Sequence, residues 1–149
     1  MDVHAERRRT LATALSERGL SAVLLGPGPD LRYLTGYAAV EMERPTLLVV
    51  PAEGAPRLVV PRLEEPRARA DAALDGVDLV AYGESDDPYG PALAPVPDGG
   101  EVAVGDHLRT ATTLRLQARI PGRVRLPASV VTAPLRLRKD QDELVALRE

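Results

Sequence analysis

Cysteine, phenylalanine and tryptophan are absent from this chain, and tyrosine occurs only four times in 149 residues. Without cysteine there is neither a disulfide framework nor a thiolate metal site. Without the large aromatics, burial falls to Leu, Val and Ala, and the stacking platforms used for bases are missing. A basic excess is also lacking. Lys and Arg number 19 against 22 Asp and Glu, giving a net charge of −3, which argues against a nucleic-acid-binding face. The run Arg7, Arg8, Arg9 is therefore expected to be the solvated face of a helix. Apolar runs such as Thr46 to Val50 are too short to span a bilayer. The N-terminal MDVHAERRRT has no apolar stretch of the signal-peptide kind. The expected location is the cytoplasm, with no membrane partner.

What is present reads as alternating helices and strands. The spacing of Leu11 and Leu15 with small Ala12 and Ala14 predicts a helix over 2–18, ended by Gly19. Residues 21–25 (SAVLL) predict a buried strand, followed by the loop GPGPD, from which Asp30 is expected to cap a short helix. Strands are predicted over 46–50 and 57–60, joined by AEGAP as an antiparallel hairpin. A helix over 63–74 and a strand over 78–82 follow. Residues 83–100, rich in Pro, Gly and Asp, read as a loop or irregular excursion. A strand over 101–105, a helix over 110–119 and a short strand over 123–126 complete the pattern. The fold class is thus α/β: a mixed β-sheet of five or six strands with helices on both faces. Near the end, Asp140 and Glu143 make a capping-box pattern ahead of Leu144, Val145 and Leu147. No stop signal follows, so the helix reads as interrupted.

Chemistry is hard to find in these residues. His4 and His107 are the only histidines, and neither has a His or carboxylate partner at helical spacing. Carboxylates alone can hold hard cations, but no acid occupies the interior of a predicted strand. The glycine loop after the first strand resembles a phosphate cradle only superficially, because Pro27 and Pro29 remove backbone donors. Ser16, Ser21, Ser85 and Ser129 lack a glycine-flanked nucleophile elbow. No catalytic residue and no metal ligand is assigned.

At Asp30 to Tyr37 the residues DLRYLTGY resemble a signature of the creatinase N-terminal domain. Downstream, Arg44, TLLVVP (46–51), Gly54, LVVP (58–61) and Glu64 follow in the order of that family. LRLRKDQDELVAL (135–147) is similar to its linker into a catalytic half. The resemblance covers nearly the whole chain. It implies a ribonuclease H-like domain over residues 1–134, with 135–149 as linker and the start of a truncated helix.

The resemblance also implies a function that composition does not. Such a domain is the non-catalytic front part of a metal-dependent Xaa–Pro aminopeptidase or dipeptidase of the creatinase, prolidase and aminopeptidase P superfamily. The parent would be a metallopeptidase; this chain itself would not be an enzyme. Two divalent ions (Mn, Co or Zn) are expected in the missing catalytic domain, held there by two Asp, one His and two Glu. The implied partners are that catalytic domain, a second copy in a homodimer, and short proline-containing peptides as substrate. Arg44 matches an arginine that reaches the partner's site and binds a substrate carboxylate, a task suited to its forked guanidinium. Tyr33 and Tyr37 are expected to pack, or else to line the same mouth. A rival reading is a free-standing α/β binding module, using the hairpin and the proline-rich loop as its partner surface.

Overall fold

The computed structural model describes residues 2–138 and 141–148. Helix α1 (Val3–Glu17) opens the chain, with the Asp2 carboxylate accepting from the His4 amide at its N-terminus. Strand β1 (Ala22–Leu25) leads into α2 (Pro29–Thr35), then β2 (Leu47–Pro51) and β3 (Arg57–Pro61). A 3₁₀ turn, Arg62–Glu64, precedes α3 (Glu65–Asp71) and β4 (Asp78–Tyr82). Then come α4 (Tyr89–Leu93), β5 (Val102–Val104), α5 (Thr110–Arg119), β6 (Val124–Pro127), α6 (Ser129–Leu137) and α7 (Gln141–Arg148). Asp140, one half of the expected capping pair, lies outside the described residues, as does the side chain of Glu143.

The six strands form one mixed sheet in the order β4-β3-β2-β1-β5-β6. Strand β2 is antiparallel to both of its neighbours, and every other pairing is parallel. The AEGAP hairpin expected from the sequence joins β2 to β3. Side-chain alternation along the strands builds two aliphatic layers. Val23, Leu25, Leu48, Val50, Leu58 and Val60 face Leu11 and Leu15 of α1, Leu31 and Leu34 of α2, and Val131 of α6. Leu24, Leu47, Val49, Val59 and Val102 face Tyr89 and Ala92 of α4 and Leu116 of α5. Helices thus cover both faces, as the α/β pattern predicts.

Four local expectations are corrected. Arg8 is not on a solvated face: it is 3% exposed. Its Nη1 donates to the carbonyls of Leu34 (2.7 Å) and Ala73 (3.1 Å), and its Nη2 to that of Asp75 (2.8 Å). Those carbonyls lie at or beyond the ends of α2 and α3, where helical partners run out, and the guanidinium supplies the missing donors. Asp30 does not cap α2, which begins with Pro29 at its first position behind Gly28. The helix expected over 63–74 is shorter, because Pro66 fits only a first turn and Ala72 leaves the helical region. The excursion over 83–100 contains α4, started by Asp87, whose carboxylate accepts from the amides of Tyr89 and Gly90.

Helix α6 is tied to the first turn of α2 and to the loop after β5 by two carboxylates. Asp106 accepts from the Ser129 amide (2.9 Å) and hydroxyl, and Asp30 accepts from the Thr132 hydroxyl (2.8 Å) and Arg136 (3.2 Å). Burial pushes the Asp106 carboxyl up, but the two Ser129 donors outweigh it and hold the group below its ordinary 3.8. A carboxyl depressed in the folded state stabilises fully above its unfolded value, and that contribution disappears as pH falls through the folded value. Unfolding followed by circular dichroism should therefore lose stability below about pH 4, and Asp106→Asn should flatten this acid limb. An unchanged limb in the variant would refute the assignment.

Candidate functional site

The Tyr33–Tyr37 segment is a helix end whose chemistry is local. The Thr35 hydroxyl donates to the Leu31 carbonyl (2.7 Å) and accepts from the Tyr37 amide (3.1 Å). Gly36 adopts a positive φ of 76°, and a Cβ there would lie 3.0 Å from the His4 Nε2. The positive φ favours glycine, and any larger residue would also push the His4 ring aside by a few tenths of an ångström. The turn sends Tyr37 inward, where it is 1% exposed and its hydroxyl donates to the Glu64 carboxylate at 3.0 Å. Burial first, then that carboxylate, pushes the phenol up to about 12.

From here the chain crosses the rim to Arg44, just ahead of β2. The Tyr82 hydroxyl, at the end of β4, donates to the Pro45 carbonyl at 2.6 Å and pins the residue after Arg44. Arg44 Nη2 lies 3.0 Å from Glu84 Oε1, not against its sequence neighbours Glu41 or Glu43. Both side chains border a cleft of about 320 Å³, which Glu43, Tyr82, Asp86 and Arg115 also line. Three carboxylates against two guanidinium groups make it slightly acidic. Burial, and then neighbouring Tyr89, push the Tyr82 phenol up to about 12, while Arg44 acts the other way. That phenol stays a hydrogen-bond donor at neutral pH.

Tyr33 and Tyr37 do not line this cleft. Tyr33 borders a larger one of about 750 Å³ between α2 and α6, with Arg32, Ala39, Ala133 and Arg136. There the Arg7 guanidinium stacks 4.0 Å from the Tyr33 ring centroid, and the Tyr33 hydroxyl donates to the Leu135 carbonyl. His4 Nδ1 is bonded to the Tyr33 carbonyl at 2.9 Å, while His107 is exposed.

The glycine loop after β1 faces the carboxylates of Asp30 and Asp106, which suits a structural turn and repels a phosphate. The Ser129 hydroxyl donates a hydrogen bond to the Asp106 carboxylate, which is held below its ordinary pKa and is a poor base for activating a nucleophile. Among the described residues, no group of three or more His, Cys, Asp or Glu could hold a metal ion. The two-metal set implied by the resemblance therefore does not fit these residues. Among the described residues no helix is long and apolar enough to cross a membrane. Glu84 and Tyr82 were not anticipated around Arg44. The sequence signal for Tyr82 was its place at the end of a predicted strand, and Glu84 carried none.

Comparisons with known proteins agree with one another. The family model for the creatinase/prolidase N-terminal domain matches residues 7–138. The curated "Probable dipeptidase PepE" of Mycobacterium tuberculosis is 37% identical over 151 residues, covering 99% of this chain and 40% of that protein. The crystal structure of dipeptidase PepE from Mycobacterium ulcerans is 37% identical, with a TM-score of 0.87 over 97% of this chain and 39% of that one. A prolidase structure from Thermococcus sibiricus is 27% identical, with a TM-score of 0.82 over 98% of this chain and 40% of that one. The chain thus spans about two fifths of the length of these relatives. With a family match across nearly all of its strands and helices, the chain belongs to the creatinase/prolidase N-terminal domain family.

Proposed function

We propose that this chain is the non-catalytic N-terminal part of a metal-dependent Xaa–Pro dipeptidase or aminopeptidase of the prolidase kind. The observation that carries the proposal is its 37% identity, over nearly its whole length, to about two fifths of a dipeptidase, together with the match to the creatinase/prolidase N-terminal domain model. In this reading residues 1–134 form the domain, and 135–149 lead toward a catalytic domain supplied by further sequence. Two divalent ions, Mn, Co or Zn, would sit in that catalytic domain and activate water for peptide hydrolysis. The residues of this chain bind and exclude rather than react.

The domain packs against a partner subunit in a cytoplasmic homodimer and narrows the approach to its site, limiting substrates to short proline-containing peptides. Arg44 offers its guanidinium to the free carboxylate of such a peptide in the partner's site. Its placement supports this: it is half exposed at a rim, and pinned through Pro45 by a buried tyrosine. The test compares the 149-residue chain with the longer protein that carries it, both assayed with Mn²⁺ on a Xaa–Pro dipeptide. The longer protein should release proline and the chain alone should not. Turnover by the chain alone, surviving stringent purification, refutes the reading.

A further inference from the structure

Four acids stand at or near the Arg44 cleft, and three of them do not pair with Arg44. Asp86 closes its own turn, its carboxylate accepting from the Gly83 amide at 2.8 Å while its amide donates to the Gly83 carbonyl at 3.1 Å. Asp87 starts α4 and pairs with Arg119 at 2.7 Å. Glu43 lines the cleft without pairing with Arg44. Glu84 rides on the turn closed by Asp86, and its carboxylate bonds to Arg44 alone. Glu84 therefore shapes no backbone. It places a carboxylate on the guanidinium.

We propose that Glu84 is an internal competitor for Arg44, a specificity-determining residue that a substrate carboxylate must displace. The inference rests on the proposed role of Arg44. The contact joins one oxygen to Nη2, leaving the bidentate fork of the guanidinium unmatched. Glu84 is also 76% exposed, so its hold is of the weak, screened kind. A free carboxylate arriving in bidentate geometry can take its place. Until then, Glu84 occupies the cation and adds to the acidity of the cleft, so both effects raise KM for an anionic substrate. Arg115 lines the same cleft and supplies a second positive charge toward that substrate.

The test is steady-state kinetics of the full-length protein at low salt, with a Xaa–Pro dipeptide and with its C-terminal amide. Glu84→Gln is expected to lower KM for the free acid roughly two- to fivefold, the range of an exposed ion pair. It should change kcat less than KM and leave KM for the amide where it was. Glu84→Asp, which keeps the charge, should stay near the parent KM. In an Arg44→Ala background the effect of Glu84→Gln should vanish. If Arg44→Ala raises KM for the acid but Glu84→Gln does not lower it, the competitor role is wrong and the reading of Arg44 stands. If Arg44→Ala leaves KM unchanged, the reading of Arg44 falls and takes this inference with it.

Discussion

Arg8→Ala is expected to lower the free energy of unfolding by about 3 kcal/mol: the buried Leu34 carbonyl left without its donor costs on the order of 1–3 kcal/mol, and the part-buried carbonyls of Ala73 and Asp75 add smaller losses. Three carbonyls depend on this one side chain: Leu34, Ala73 and Asp75. They belong to segments far apart in sequence, so the guanidinium joins α1 to the ends of α2 and α3. For a domain of this size the loss corresponds to a fall in melting temperature of roughly 6–12 °C. Lysine cannot substitute fully, because one ammonium does not span the three oxygens as a planar fork does. Arg69→Ala is the control. Arg69 forms an exposed pair with Glu65, and its loss should cost no more than about 1 kcal/mol. A melting temperature for Arg8→Ala equal to that of Arg69→Ala would show that the buried fork is not needed.

Leu24→Ala should be at least as damaging, costing about 3–4 kcal/mol from the usual range for a buried leucine. Leu24 has no exposed surface and lies on β1, which has neighbours on both sides. Its side chain packs in the layer of Leu47, Val49, Val102 and Leu116. No bulky aromatic lies on that face to collapse into the void except Tyr82 and Tyr89, and the Tyr82 hydroxyl is committed to Pro45. Most of the cavity should persist, which is what makes such substitutions costly. Leu63→Ala is the matched comparison, since that leucine is 82% exposed and should shift stability by less than about 0.5 kcal/mol. Urea midpoints for the two variants should separate widely. Equal midpoints would mean that the layer repacks around the missing side chain.

The fold was legible where burial and backbone chemistry speak through local pattern. Continuous Leu and Val runs marked the strands β1 to β3, and Gly19 with Gly54 marked turns. Helix α5 was predicted over the residues it occupies, because Thr110 to Arg119 is bounded by Pro121 and Gly122. Helix α6 was not, since Pro134 inside Ser129–Leu137 reads as a break, and its start depends on Asp106 from another element. The same non-locality hid Arg8. Three adjacent arginines look alike in sequence, and only the folded ends of α2 and α3 distinguish the middle one. Arg44 came from resemblance to a family, and no periodicity pointed to it. Its partner Glu84 lies forty residues further on, across a loop whose course the sequence does not specify.

The strand order carries a consequence for biosynthesis. β2, β3 and β4 all lie on one flank of β1, while β5 and β6 lie on the other. By the time residue 82 has left the ribosome, all four strands of one contiguous half of the sheet have been synthesised, two of their three pairings antiparallel and one parallel. Its β1 margin then stays unpaired until Val102–Val104 is translated, and during that interval it is an open template for a stray strand. Delay in synthesis across the proline-rich stretch 88–97 would lengthen that exposure.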